Sequence, residues 1–126
     1  MSELQVGETV TAIYKTGKYI GEITEVRPQH YLVRVLGVLK HPMQGDLHHP
    51  KDTDVGIFHE RKALSFREQA NVPKQMAKPY GEDIPDYLDS LSDAVEKLRN
   101  ELKDDPSPWA VQSLKNIESL EKDYFK

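Results

Sequence analysis

The sequence predicts an α+β protein in which a small SH3-like β-barrel is followed by a C-terminal helical hairpin that packs on it. Over residues 10–50, β-branched and aromatic residues lie between regularly placed glycines, a pattern typical of short, strongly bent strands. Over residues 83–126, apolar residues instead recur every three or four positions, which indicates amphipathic helices. At 126 residues and 37% apolar content, the chain is long enough to bury a modest core.

Two strands are predicted on either side of a turn at Thr16–Gly17. Residues suited to a barrel core alternate with polar neighbours in both strands, at Val10, Ala12 and Tyr14 and again at Tyr19, Gly21 and Ile23. Alternation with a period of two is typical of a strand that has one face in a core.

Residues 30–39 predict a third strand with two apolar faces. One face can line the barrel, and the other needs a cover, which the helices can supply. Gly37 predicts a bulge or corner in this strand, because a residue without Cβ lets the sheet bend. Residues Ala63 to Arg67 form a further short strand candidate.

Prolines and a glycine mark a boundary between the two parts of the chain. Pro73, Pro79, Gly81 and Pro85 interrupt regular structure, so we predict a barrel domain over 1–72, a connector over 73–82 and a helical hairpin over 83–126.

Both predicted helices begin with a capping signal. Asp83 can cap the first helix with Pro85 in its first turn, and Ser107 can cap the second with Pro108 at its start. The apolar stripes that follow comprise Tyr87, Leu88, Leu91, Ala94, Val95, Leu98 and Leu102, then Val111, Leu114, Ile117, Leu120 and Tyr124. Trp109 fits an anchor of the hairpin better than a partner contact.

Charge and composition limit the functional classes. The net charge of −4 argues against nucleic-acid binding that depends mainly on phosphate contacts. There is no cysteine and no apolar run long enough to serve as a signal peptide or to span a bilayer. We therefore expect a soluble cytoplasmic protein with no direct membrane insertion.

The sequence predicts neither a metal site nor an active site. Four histidines and three aspartates lie close together, at His41, His48, His49 and His59 and at Asp46, Asp52 and Asp54. Their spacing matches no metal-site signature, and the chain has no phosphate-binding loop or nucleophile motif. We expect no metal, no cofactor and no catalytic residues.

An RNA- or peptide-binding barrel is the alternative reading. The hairpin with Tyr14 and Tyr19 resembles the first hairpin of Tudor, KOW and SH3-like modules, although these tyrosines fit core or rim packing better than a ligand cage. A short basic strip supports RNA binding, and it consists of Lys15, Lys18, Arg27 and Arg34.

Four phrases of the sequence, TAIYKTGKYIGEI, LKHPMQGDLHHP, FHERKAL and VPKQMAKPY, together resemble the kinase-associated protein B family of spore-forming bacteria. The resemblance covers about residues 5–126, and its most specific part is the string from Lys40 to Pro50. The family is sometimes described as a lipoprotein, and this chain departs from that description because it has no cysteine to acylate.

The resemblance implies an accessory protein that a membrane sensor histidine kinase of the sporulation phosphorelay requires for activity. Such a protein would act by protein–protein binding and reach the inner face of the membrane through the kinase. From the residues, we predict that an exposed loop contacts this partner, through His41, Pro42, Met43, Gln44, Gly45, Asp46, His48 and His49. An adaptable methionine beside a proline suits protein recognition. The oligomeric state is left open.

Overall fold

The α+β class is confirmed by a computed structural model that describes residues 3–45 and 58–126. Five strands are followed by two helices. The strands are β1 (Thr9–Tyr14), β2 (Gly17–Val26), β3 (His30–Lys40), β4 (Gln69–Pro73) and β5 (Ala77–Pro79), with a single 3₁₀ turn at Lys74–Met76 between the last two. The helices are α1 (Tyr87–Lys103) and α2 (Pro108–Tyr124).

The strands form one antiparallel sheet with the order β4-β3-β2-β1-β5. The first hairpin turns through Lys15 and Thr16, since Tyr14 pairs with Gly17. Within the described residues the edge strands β4 and β5 do not pair with each other. The sheet is therefore not closed, and the predicted SH3-like barrel is not confirmed.

The strand predicted over Ala63 to Arg67 is wrong. The first two backbone donors go to side chains, Ala63 N–H to Tyr124 Oη at 2.8 Å and Leu64 N–H to Tyr19 Oη at 3.3 Å. Arg67 N–H does donate to the Val35 carbonyl of β3 at 2.7 Å, but φ at Arg67 is 69°, which is not a strand conformation. A single backbone bond to β3 does not make a ladder, and the tyrosine hydroxyls already satisfy the donors of Ala63 and Leu64.

The segment predicted as an irregular connector, 73–82, contains regular structure. It carries the 3₁₀ turn and strand β5, whose Lys78 pairs with Thr11 of β1. Pro73 and Pro79 end strands at the two edges of the sheet, where proline is tolerated because no ladder donor is lost. The division of the chain into domains stays an interpretation.

Two apolar cores share strand β3. The first lies within the curved sheet and consists of Val10, Ala12, Ile23, Tyr31, Val33, Ala70, Val72 and Ala77. The second lies between the sheet and the helices and includes Tyr19, Val35, Val38, Leu91, Val95, Leu98, Leu102, Trp109 and Ile117. Helix α1 is therefore the cover that the third strand was expected to need.

Gly37 marks the irregularity that the sequence predicted. The β2–β3 register shifts beside it, from Ile20↔Gly37 to Gly21↔Val35. A Cβ on Gly37 would lie 3.3 Å from the Ser90 hydroxyl, which accepts a hydrogen bond from Val38 N–H at 3.0 Å. The glycine thus lets α1 approach the strand closely.

Helix α1 begins three residues later than predicted. Asp86, not Asp83, is its N-cap, and its carboxylate accepts from Asp89 N–H at 3.1 Å. A cap at Asp83 would place Ile84 in the helix directly before Pro85, and a residue before proline disfavours the helical conformation.

Helix α2 begins as predicted, with Ser107 accepting from Ala110 N–H at 3.2 Å and Pro108 in the first position. Its buried face is rotated from the predicted stripe, since Val111 is 50% exposed while Trp109 is buried. The indole buries more apolar area than a valine does, which favours this rotation.

Within residues 3–45 and 58–126, neither helix combines the length and apolar content needed to cross a bilayer.

Candidate functional site

The described part of the predicted contact loop is built into the protein interior. His41, Pro42, Gln44 and Gly45 are buried and Met43 is half-buried, with His41 only 1% exposed. The expectation that these residues form an exposed loop is therefore wrong. Asp46, His48 and His49, the other residues of this prediction, lie outside the described residues.

The His41 imidazole is fixed by one acceptor and one hydroxyl. Nδ1 lies 2.9 Å from the Pro42 carbonyl oxygen, so this nitrogen carries the proton and donates it. Nε2 lies 2.9 Å from Tyr124 Oη and accepts the phenol hydrogen, while the same oxygen accepts from Ala63 N–H. Burial lowers the pKa of His41, which keeps the ring neutral and this pattern of donors intact.

Gln44 connects residues 41–45, which we call the loop base, to the segment around Arg61. Its amide nitrogen donates to the carbonyl oxygens of Pro42 and Arg61 at 3.1 and 2.9 Å, and its amide oxygen accepts from Arg61 N–H at 2.8 Å. Its backbone carbonyl accepts from Trp109 Nε1 at 3.1 Å. The buried indole thus anchors α2 to the loop base, which confirms the interpretation of Trp109.

Gly45 is required by both its backbone conformation and its surroundings. Its φ is +98°, and a Cβ there would lie 3.1 Å from the Phe58 ring. Its N–H donates to the His59 carbonyl, and its own carbonyl accepts from Arg61 Nε, both at 2.9 Å. The two chain segments that border residues 46–57 are therefore held together at this point.

The described histidines do not gather around a shared centre. Both ring nitrogens of His41 are occupied, and His59 is exposed. In the part of the chain that the structure describes, no three acidic or histidine side chains cluster as metal ligands. His48, His49, Asp46, Asp52 and Asp54 lie outside that part.

Half of the predicted basic strip is neutralised by neighbouring carboxylates. Arg27 forms an ion pair with Glu25, and Arg34 Nη1 lies 3.8 Å from Glu22 Oε1. Among residues 3–45 and 58–126, Lys15 and Lys18 have no carboxylate within salt-bridge distance. The strip is thus weaker as a phosphate-binding surface than the sequence indicated.

The two tyrosines of the first hairpin have packing roles. Tyr19 is 2% exposed, and burial raises its pKa to about 12. Tyr14 is half-buried and packs against both cores. This agrees with the interpretation that both serve as core or rim residues.

The fold and the site define a small α+β protein in which buried polar side chains, those of His41 and Gln44, form hydrogen bonds within the interior. The sequence profile of the family described as "Kinase associated protein B" matches residues 14–125, and the chain belongs to this family.

Two relatives span nearly the whole chain. "Kinase-associated lipoprotein B" of Bacillus subtilis (strain 168) is 57% identical over 125 residues, which make up 99% of this chain and 98% of the relative. The crystal structure of kinase-associated protein B from Bacillus cereus superimposes with a TM-score of 0.82 at 50% identity, covering 96% of this chain and 97% of that one. The resemblance noted in the sequence is confirmed.

Proposed function

We propose that this protein is an accessory protein that binds a membrane sensor histidine kinase of the sporulation phosphorelay and is required for its activity. The observation that carries the proposal is family membership over almost the whole chain. Relatives are named for association with a kinase, and the proposal assigns a binding role instead of a catalytic one. In cells the protein would be cytoplasmic and reach the membrane through the kinase.

The effect on the kinase follows from differential binding. A bound protein changes a kinase's output only when it binds one conformational state more tightly than another. The proposed mechanism is preferential binding to the form that is competent for phosphotransfer. A tenfold preference corresponds to about 1.4 kcal/mol, which a small interface can supply.

Contact with the kinase is proposed at the loop that follows β3. The buried residues His41, Pro42, Gln44 and Gly45 would hold the base of this loop. Met43, Asp46, His48 and His49 would then supply the partner contacts.

An RNA- or peptide-binding barrel is the second candidate, and one observation favours it. Core residues from β1, β4 and β5 meet in the cluster within the sheet, for example Val10, Val72 and Ala77. This supports the finer proposal that the sheet is a partly open SH3-like barrel. The neutralised Arg27 and Arg34 count against RNA.

Co-purification of the tagged protein from sporulating cells tests the kinase proposal. We expect wild type to retain a membrane histidine kinase, and a variant with His48→Asp and His49→Asp to lose it while keeping its circular dichroism spectrum. His59→Asp, a change at an exposed histidine outside the proposed contacts, is the matched control. Recovery of RNA or ribosomal proteins without any kinase would contradict the proposal.

A further inference from the structure

Two adjoining depressions lie on the sheet side of the loop base. One is a cavity of about 210 Å³ whose lining includes Lys15, Pro42, Glu60 and Arg61. The other is a groove of about 360 Å³ whose lining includes Ile13 and Met76. Tyr14 and Lys15 line both, so both depressions border the turn of the first hairpin, and we call the two together the Lys15 trough.

Among the described residues, the lining at the cavity end of the Lys15 trough holds more positive than negative side chains. Neither Lys15 nor Arg61 has a carboxylate within salt-bridge distance in the described residues, whereas Lys62, also in the lining, is paired with Asp123 at 2.6 Å. Glu60 is the acidic residue of this lining. The balance of charge favours an anionic group here.

The groove end of the trough is apolar and exposed. Ile13 and Met76 are 43% and 41% exposed, and Pro73 lies beside them. A flexible methionine at a surface adapts to different apolar side chains. An occupant would therefore gain from placing an apolar side chain in the groove.

The hairpin turn between the two ends is held in an unusual backbone conformation. Lys15 has φ = 55°, a region that non-glycine residues seldom adopt. The next residue, Thr16, accepts a hydrogen bond through Oγ1 from Met43 N–H at 2.9 Å. This hydrogen bond connects the turn to the loop base. The Lys15 ammonium lies 5.5 Å from the Tyr14 ring centroid. A positive φ at the first residue is what a two-residue hairpin turn requires, and it fixes the backbone of Lys15 at the edge of both depressions.

We propose that the Lys15 trough binds an extended acidic peptide segment of the partner, with a carboxylate at Lys15 and Arg61 and an apolar side chain at Ile13 and Met76. This inference deepens the proposed kinase binding and rests on it for the partner's identity. The cavity end, at about 210 Å³, is smaller than the roughly 300 to 1,000 Å³ typical of small-molecule sites, which fits a single side chain at that end. A peptide is favoured over RNA because RNA sites rely on extended basic surfaces, and Arg27 and Arg34 of the basic strip are already paired with carboxylates.

The test uses two defined probes on the full-length, ¹⁵N-labelled protein. The first is a synthetic twelve-residue peptide of alternating Glu and Leu, and the second carries Lys in place of every Glu. We expect the acidic peptide alone to shift the amide signals of Tyr14, Lys15 and Met76. Equal shifts with the lysine peptide, or shifts centred elsewhere, would overturn the inference, as would tighter binding of oligouridylate at the same residues.

Variants separate a local contact from general electrostatics. Lys15→Glu should weaken acidic-peptide binding by about tenfold or more, because like charges then oppose each other. Lys18→Glu carries the same charge change at an exposed residue outside the trough and should change binding by less than about twofold, since the screened charge acts at a distance. Equal losses in both variants would refute a local site.

A second pair of variants tests the apolar end without altering the hairpin turn. Met76→Glu should weaken binding, whereas Val111→Glu, at an exposed position on α2, should not. The kinase assay keeps this inference distinct from the proposed function. Kinase retention that is equal in wild type and folded Lys15→Glu overturns the trough alone, whereas peptide binding without kinase retention overturns the kinase partner alone.

Discussion

Replacing Tyr124 with phenylalanine tests the hydrogen-bond network that fixes the base of the loop. The Tyr124 hydroxyl donates to His41 Nε2 and accepts from Ala63 N–H, at 2.9 and 2.8 Å. Its loss leaves two buried polar groups without a partner, and each such group costs about 1–3 kcal/mol. Because Tyr124 is half-buried, water can relieve part of this cost, and we expect a loss of about 2–3 kcal/mol in the free energy of unfolding.

Urea unfolding followed by circular dichroism measures this loss. With an m value of about 2 kcal/mol/M, the midpoint should fall by about 1–1.5 M at unchanged m. The control is Tyr80→Phe, which removes a hydroxyl that donates to the Asp83 carbonyl at 2.8 Å in an exposed setting. We expect that change to cost less than about 0.5 kcal/mol. If Tyr124→Phe cost no more than Tyr80→Phe, the network would not stabilise the loop base.

Three further predictions concern the same region and the second helix. Burial holds the pKa of His41 below its ordinary value of 6.5, so the unfolded chain binds a proton that the folded chain does not. Stability should therefore fall as the pH drops below about 6.5, by up to about 1.4 kcal/mol per pH unit. Urea midpoints measured between pH 5.5 and 7.5 check this prediction. The dependence of the midpoint on pH should persist in His59→Gln and decrease in His41→Gln. An unchanged dependence in His41→Gln would contradict the role of His41. Gly45→Ala should destabilise by about 1–3 kcal/mol because φ is +98° and Phe58 is close, while Gly81→Ala, with open space around its Cβ, should be neutral or slightly stabilising on thermal unfolding. Equal melting temperatures for these two variants would argue against strain at Gly45. Ser107→Ala should cost about 1 kcal/mol through loss of the α2 cap, measured by urea unfolding, and an unchanged midpoint would show that the cap contributes nothing.

Local signals in the sequence predicted the elements that depend on neighbouring residues. The first two strands follow from alternation and the third from its run of apolar residues. The start of α2 follows from Ser107 and Pro108, since the cap joins residues only three positions apart. The irregularity at Gly37 could also be predicted locally, because a single residue without Cβ lets a strand bend. Strand β5 was missed because it has only three residues and lies among prolines that indicate a break.

Long-range contacts explain why the loop was misread. His41 and Pro42 indicate a polar surface loop when only their neighbours are considered. Their burial depends on Tyr124, 83 residues away along the chain from His41, and on Trp109, 65 residues away from Gln44. A single sequence contains no signal that pairs these positions. The Lys15 trough was missed for the same reason, since each of its ends combines residues of the first hairpin with residues between positions 60 and 76.

The rate of kinase autophosphorylation, measured with and without the purified protein, tests the central claim most directly. The accessory-protein account predicts that the rate rises and saturates as the protein concentration increases, because binding shifts the kinase toward its competent state. An unchanged rate at concentrations where a physical complex forms would contradict the claimed effect on activity. Absence of any complex with the sporulation kinase would contradict the account as a whole.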